Sequence, residues 1–245
     1  MVSQQSHRVS LQSAFILHGR DFRDTSRLLD VFTLDFGRVT LVAKGARSAR
    51  SKLQGVLEPF TPLIISWSGK GDVQTLTGAE SVKSEIDLSG KQIMCAYYIN
   101  ELLQRLMTVH DPHPELFEIY QATLASFKDE DEEVVLRRFE KNLLIEIGYG
   151  LNLNIESESG VSIVNNENYY YDIEKGPVSI KQNDLNNESN GEFIISGQTL
   201  YDMSVDKFSS SQNQKEAKQL MRIILNHYLG DKPLKTRSLH WYKPL

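Results

Sequence analysis

Cysteine is the scarcest informative residue in this chain of 245 residues, since Cys95 is the only one. A single thiol excludes an intrachain disulfide and a zinc site built on several thiolates. No stretch approaches the roughly 18 consecutive apolar residues of a membrane-spanning helix. The start of the chain lacks the apolar core and the small-residue cleavage site of a secretory signal. We therefore expect a protein of the reducing cytoplasm without a membrane anchor.

A general excess of positive charge is also missing, because the formal net charge is −5. That total argues against a protein that coats DNA with a uniformly basic surface. The distribution is uneven, however. Residues 1–80 carry ten Lys/Arg and seven Asp/Glu, and residues 215–245 carry seven Lys/Arg and two Asp/Glu. Both ends of the chain are basic, and the middle is acidic.

Recognisable catalytic motifs are absent. The sequence contains no HExxH, GxSxG or GxGxxG pattern. His110 and His113 lie among prolines that keep them off one regular helix face. The glycine–lysine–glycine triplet at 69–71 falls between two predicted strands rather than before a helix, so it is not a phosphate-binding P-loop. We predict no catalytic residue, no metal ligand and no cofactor, and hence a protein that is not an enzyme.

The most informative stretch that is present spans residues 38–60. It begins as an apolar, β-branched strand and continues into a segment where small residues separate positive charges and no acidic residue occurs before Glu58. A cluster of like charges repels itself unless an anion neutralises it. A nucleic-acid backbone would supply that anion, and a solvated loop is the alternative that the pattern leaves open.

The first part of the chain predicts a five-stranded barrel. Strands are expected at 12–18, 27–34, 38–43, 62–67 and 73–79, with a loop and a short helical turn between the third and the fourth. This order is typical of an OB-fold, which binds single strands through a basic groove and aromatic stacking platforms. The aromatic candidates, each of which would also suit the barrel core, are Phe22, Phe36, Phe60 and Trp67.

From about residue 88 the apolar period becomes helical, which predicts helices over 90–109, 114–127, 132–147 and 215–229. Ser89 is the expected cap of the first helix. Residues 151–195 are polar and lack cysteine, so we predict a small metal-free insertion of hairpins and loops. The predicted fold class is α+β, with an OB-fold barrel over 1–82 and a mainly α-helical domain over 83–245 that contains this insertion.

The third predicted helix carries a charged pair beside its core stripe. The stripe comprises Val135, Phe139, Leu143 and Ile147. Arg137 and Lys141 lie one helical turn apart on another face, beside Leu144. Such a pair could hold an acidic, hydrophobic peptide end, but the pattern alone favours an exposed charged face.

Five blocks of the sequence together resemble the bacterial RecO family of recombinational DNA repair proteins. They are AFILHGRDFRDTSRLLDVFTLDFGRVTLVAKGARSARSKLQGVLEPFTPL (14–63), YINELLQRL (98–106), HPELFEIY (113–120), LRRFEKNLLIEIGYG (136–150) and YLGDKPLKTRSL (228–239). The resemblance implies an OB-fold and a helical domain, binding to single- and double-stranded DNA, and annealing of complementary strands. The implied partners are RecR and the acidic tail of the single-stranded DNA-binding protein (SSB). The implied task is to help load RecA onto SSB-coated strands, in the cytoplasm at the nucleoid.

The resemblance also assigns residues by position. It assigns DNA binding to Arg20, Arg27, Arg38, Lys44, Arg47, Arg50, Lys52, Lys70, Lys232, Lys235 and Arg237. It assigns binding of the SSB tail to Arg137, and Lys141 and Leu144 would contact the same tail. Some family members carry four zinc-binding cysteines after the third helix, and this chain has none there, so a zinc-dependent role is not expected.

Two other classes of protein remain as alternatives. The main one is a protein–protein adaptor that the SSB tail recruits and that binds little DNA itself. The more remote one is a nuclease, which would remove a labelled strand in a metal-dependent reaction.

Overall fold

The computed structural model describes residues 7–180 and 193–238, which form two compact units. The first unit holds the described residues up to Lys128 and those from Leu234 onward, and the second comprises Asp129–Pro233. The first unit thus extends past the barrel through two helices. The division of the chain into domains at residue 82 stays a prediction.

Five strands of the first unit close into a barrel with the order β1-β2-β3-β5-β4. The strands are β1 (His7–Phe22), β2 (Ser26–Thr33), β3 (Gly37–Ala43), β4 (Leu63–Gly69) and β5 (Val73–Ser81). Neighbouring strands are antiparallel except β3 and β5, which are parallel. This is the arrangement of an OB-fold, and it confirms the predicted fold class.

The barrel core follows from the alternation of side chains along the strands. In β3 and β4 fully buried and half-buried residues alternate, as expected when one face points inward. Strand β1 pairs with both β2 and β4 and therefore closes the barrel. It bends at a bulge where Leu11, with φ 56°, donates its N–H to Ser66 Oγ at 3.0 Å.

The helices in the described parts of the chain are α1 (Lys91–Leu106), α2 (Pro114–Ser126), α3 (Glu132–Glu146), α4 (Gly197–Ser204), α5 (Ser211–Leu229) and α6 (Lys235–Ser238). None of them combines the length and apolar character needed to cross a membrane. The predicted cap of α1 at Ser89 is wrong. Gly90 is the N-cap with φ 51° and no side chain caps the helix, while the Ser89 N–H bonds Gln92 Oε1 at 3.1 Å.

Aromatic side chains join α2 to the outside of the barrel. Phe15 and Phe32, both fully buried, contact Phe117 at 5.5 and 5.3 Å between ring centroids. The Tyr120 hydroxyl donates to Asn100 Oδ1 at 2.7 Å, and Asn100 Nδ2 donates to the backbone of β1. Burial in this contact raises the pKa of Tyr120 above its ordinary value. The apolar run at the centre of β1 is therefore buried on both faces.

The second unit is built on α3 and α5. The predicted stripe of α3 is fully buried at Val135, Phe139 and Leu143. Asp131 caps the helix by accepting the backbone N–H groups of Glu133 and Val134. Helix α5 begins four residues earlier than predicted because Ser210 caps it.

The polar insertion forms a small sheet with the order β7-β6-β8. Its strands are β6 (Asn168–Asp172), β7 (Gly176–Ser179) and β8 (Ile194–Ser196). Glu156 holds the adjoining loops by accepting hydrogen bonds from Glu158, Ser159 and Ser179, and these bonds lower its pKa to about 2. Among the described residues no group of three or more His, Cys, Asp or Glu could hold a metal ion. Part of the predicted insertion, residues 181–192, lies outside the described residues.

Candidate nucleic-acid interface

The segment between β3 and β4 presents its positive charges outward. Lys44, Arg47, Arg50 and Lys52 are all exposed, and we call residues 44–52 the basic loop. Ala46 and Leu57 are buried in the barrel core, where Leu53 and Val56 also pack. Small and apolar residues thus anchor the segment, and the cations between them face solvent.

Arg47 attaches the basic loop to the turn between β1 and β2. Its backbone N–H donates to the Thr25 carbonyl at 2.8 Å. Its guanidinium donates to the carbonyl oxygens of Arg23 and Asp24, and it lies 3.2 Å from the Asp21 carboxylate. Arg47 therefore has a structural role in addition to its charge, whereas Arg50 and Lys52 extend the positive surface.

Arg27 supports the far end of the same segment. Its guanidinium donates to the Leu57 carbonyl at 2.8 Å and lies 3.6 Å from the exposed Glu58 carboxylate. Three quarters of the side chain is buried, since its exposed fraction is 24%. The structure thus places Arg27 beneath the loop rather than on its outer surface.

Arg38 lies in the interior of the first unit. Its Nε and one terminal nitrogen donate to the two carboxylate oxygens of Asp30 at 3.3 and 3.0 Å. The other terminal nitrogen donates to carbonyl oxygens at the end of α1, including that of Met107 at 2.8 Å. All three nitrogens are directed at protein acceptors, so the structure does not bring Arg38 together with the exposed cations of the basic loop.

Lys70 is exposed and lies apart from the basic loop, whereas the exposed Arg20 precedes Asp21, whose carboxylate lies 3.2 Å from Arg47. Lys70 occupies the turn after β4, at the opposite end of that strand from the loop. Arg20 lies on β1 and, with His18 and Thr40, lines a surface cavity of about 220 Å³. The exposed DNA-binding candidates of the barrel are therefore the basic loop, Arg20 on the strand that Arg47 contacts, and Lys70 at a separate position.

The carboxy-terminal cations are divided between the two units. Lys232 is exposed in the second unit, whereas Lys235 and Arg237 belong to α6 in the first. The Glu101 carboxylate accepts the backbone N–H groups of Lys235 and Thr236 at 2.7 and 2.9 Å and the Thr236 hydroxyl at 2.6 Å. Burial opposes ionisation of Glu101, but these hydrogen bonds outweigh it and lower its pKa.

The four aromatic candidates have different surroundings. Trp67 is 2% exposed and belongs to the barrel core, with the half-exposed Phe36 edge-on to it at 5.4 Å. Phe22 lies 5.2 Å from the Arg23 guanidinium. Phe60 packs edge-on against Tyr97 at 4.9 Å. The sequence pattern gave no sign of Tyr97 as a functional candidate, and its side chain is exposed on α1.

The predicted tail-binding residues are buried in the second unit. Arg137 donates to Glu140 Oε1 at 2.7 Å, and Lys141 donates to the Met203 carbonyl at 2.9 Å and lies 2.6 Å from Asp206. Leu144 is fully buried. Arg137 and Lys141 are only 7% and 8% exposed, so the exposed charged face that the pattern favoured is wrong. The assignment of these residues to the SSB tail stays a prediction.

Comparison with known proteins covers almost the whole chain. The family model described as "Recombination protein O N terminal" matches residues 8–85, and "Recombination protein O C terminal" matches residues 88–238. The DNA repair protein RecO of Aromatoleum aromaticum is 44% identical over 235 residues, 96% of each chain. Those of Methylococcus capsulatus and Nitrosococcus oceani are 44% and 42% identical over 95% of this chain and 93% of theirs.

Proposed function

This chain belongs to the RecO family of DNA repair proteins, and on that premise we propose that it is a non-enzymatic mediator of homologous recombination. Family membership supports a role in DNA repair. In the proposed role the protein binds single- and double-stranded DNA and anneals complementary strands at the nucleoid. With RecR, it also helps to load RecA onto SSB-coated single strands.

The observation that carries the proposal is the basic loop, whose exposed cations stand on a closed OB-type barrel. A phosphate backbone supplies the anions that such a cluster lacks, and binding releases the counterions condensed on the DNA. Arg27 and Arg47 hold the loop in place, which reduces the conformational entropy that binding would otherwise cost.

Annealing follows from the same contacts. Cations that neutralise phosphates on two strands reduce the repulsion that opposes their approach. Contacts to backbones carry no sequence information, so base pairing between the strands selects the complement. A protein acting in this way needs neither a nucleotide cofactor nor a catalytic residue.

Charge reversal on the basic loop tests this function. We expect Arg50→Glu/Lys52→Glu to weaken binding of a labelled, unstructured single strand, measured by fluorescence anisotropy across a range of salt. Because each lost phosphate contact reduces the log–log salt slope by about 0.7 on single strands, the slope should fall by roughly 1.4. Arg47 is left unchanged because it also anchors the loop.

The matched control is Lys215→Glu/Arg222→Glu, which makes the same change in net charge on exposed positions of α5. It should keep the wild-type slope. An equal loss in both variants would mean that only total charge matters. Unchanged DNA affinity in the loop variant would show that the basic loop does not bind DNA. That result would favour an adaptor that is recruited through protein contacts. Annealing rates of complementary labelled strands should fall in the same order as affinity.

A further inference from the structure

Helix α1 carries one exposed tyrosine, Tyr97, and one half-buried tyrosine, Tyr98, in the same unit as the basic loop and α6. We propose that Phe60, Tyr97 and Tyr98, here called the aromatic surface, form a stacking platform for the bases of a single strand. The inference rests on the proposed function, because the strand would be the one whose phosphates the basic loop binds. It adds a second kind of contact, to bases rather than to phosphates.

The position of Tyr97 is unusual for a helix that packs on a barrel. The inward face of α1 consists of Cys95, Ala96, Ile99, Asn100, Leu102 and Leu103. Tyr97 lies off that face with 41% of its surface exposed, although a tyrosine exposes a large apolar ring there. Its only ring contact among the described residues is with Phe60, which leaves much of the ring accessible.

Phe60 is held in a conformation that its residue type disfavours. Its φ is 65°, in the left-handed region that bulky residues rarely adopt. Strained backbone of this kind persists where the surroundings fix it, and it is concentrated at functional sites. Here it brings the phenylalanine that follows the basic loop edge-on to Tyr97, at an interplanar angle of 73°.

Positive charge borders the aromatic surface on its other side. The Arg237 guanidinium lies 5.9 Å from the centre of the Tyr98 ring, and Glu101 fixes the helix that carries it to α1. Tyr97 and Glu101 are one turn apart on the same helix face. Phe60, in the chain that follows the basic loop, thus contacts one ring of α1, and Arg237 of α6 contacts the other.

The acidic group on this face keeps its negative charge, which the donors and the cation around it partly offset. The Glu101 carboxylate is occupied by three donors from α6, and Arg105 lies near enough to favour its ionised form. Exposed rings with cations beside them are the combination that binds single strands, because every base offers a face for stacking. The ligand class is therefore single-stranded nucleic acid of mixed sequence.

The test compares a base-bearing oligomer with an abasic oligomer of the same length, which has the same phosphates and no bases. We expect the wild type to bind the base-bearing strand about tenfold more tightly, a ratio within the range measured for one or two stacking contacts. Tyr97→Leu should lose most of that preference, while its abasic affinity and salt slope stay at wild-type values. Tyr97→Phe should restore it.

Tyr201→Leu is the matched control, since Tyr201 is 49% exposed on α4 in the second unit. It should keep the preference. Phe60→Gly is a second variant, because glycine accepts the positive φ and removes only the ring. Circular dichroism and thermal unfolding verify that each variant is folded.

The two proposals fail in different ways. Equal wild-type affinity for both oligomers, or an unchanged preference in folded Tyr97→Leu, would overturn the stacking platform while salt-dependent binding stood. A parallel loss on both oligomers would also overturn it, because phosphate contacts or the fold would then be responsible. Salt-independent binding in the wild type, with no effect of the basic-loop variant, would instead sink the proposed function.

Discussion

Arg38 joins the barrel to helix α1, because one terminal nitrogen of its guanidinium binds the helix while the other two nitrogens bind Asp30 of β2. Its partners on α1 include the Gln104 and Met107 carbonyl groups, which lie at the carboxyl end, where helix carbonyls lack a donor within the helix. A cation at that end also complements the helix dipole. Gly37, the preceding residue, allows the same approach, because a Cβ there would lie 2.0 Å from the Asp111 carbonyl oxygen.

This geometry leads to a prediction for Arg38→Met. Removing the guanidinium leaves the Asp30 carboxylate and the helix carbonyls without these hydrogen bonds, so we expect the free energy of unfolding to fall by about 2 kcal/mol, the contribution of a hydrogen bond to a charged group. At temperatures where the variant is folded, its salt slope for DNA should equal that of the wild type. Urea unfolding and anisotropy titrations measure the two quantities.

The exposed Arg20 on β1 supplies the contrast. Arg20→Met should leave the urea midpoint unchanged, because surface substitutions away from special features rarely change stability by more than about 0.5 kcal/mol. A stable Arg38→Met variant with a reduced salt slope would mean that Arg38 contacts phosphates directly and that its bonds to α1 contribute little.

At the scale of the element, helix α3 illustrates which features a sequence pattern can predict. The stripe from Val135 to Leu143 is apolar at helical spacing, and such stripes are buried in nearly any helical fold. The burial of Lys141 depends on partners that are distant along the chain, namely Met203 and Asp206. The buried Arg137 pairs with Glu140 on the same helix. No local pattern contains that information, so periodicity alone predicts that the two cations are exposed to solvent.

The same distinction holds for the barrel. Strand existence and order were predictable from alternation and turns, and the structure confirms them. Two long-range contacts could not be predicted from local patterns. They are the pairing register by which β1 closes the barrel against β4 and the bond that attaches the basic loop to Thr25. Helix α4 is absent from the predicted helices, because at eight residues it spans scarcely two periods of an apolar helical pattern.

The buried pair on α3 determines how its predicted role must be tested. Arg137→Ala would leave the fully buried Glu140 carboxylate without its cation and should destabilise the protein by about 3 kcal/mol or more. Its loss of peptide binding would then be uninformative. Arg137→Met/Glu140→Leu removes both charges, and replacements of this kind are often neutral or stabilising.

We expect the double variant to unfold at or above the wild-type urea midpoint. If Arg137 holds the tail carboxylate, this variant should bind an acidic peptide with an apolar end about tenfold more weakly or worse. Arg138→Met/Glu130→Leu is the control, because it removes a more exposed pair at the start of the same helix. Wild-type peptide affinity in the first double variant would show that Arg137 does not bind the SSB tail.

At the scale of the whole molecule, the chain returns to its first unit at its carboxyl end. Residues 234–238 group with the barrel, although more than a hundred residues of the second unit, Asp129–Pro233, precede them. Leu234 is 1% exposed, and Glu101 binds the first backbone groups of α6. The amino-terminal cations and those of α6 therefore belong to the same unit, although the net charge of the whole chain is negative.

Glu101 is the residue on which this arrangement can be tested. In Glu101→Ala the amide groups of Lys235 and Thr236 lose their acceptor, so their hydrogen exchange should accelerate by about tenfold, as expected when one charge-assisted hydrogen bond is lost. DNA affinity at low salt should fall with it, because Lys235 and Arg237 are no longer held beside Tyr98. Glu118→Ala, at an exposed position of α2, removes the same charge without touching α6 and should change neither quantity. Unchanged hydrogen exchange in Glu101→Ala would show that Glu101 is not needed to hold α6 and that the buried Leu234 is sufficient. Faster exchange with unchanged DNA affinity would show that α6 does not contribute to DNA binding.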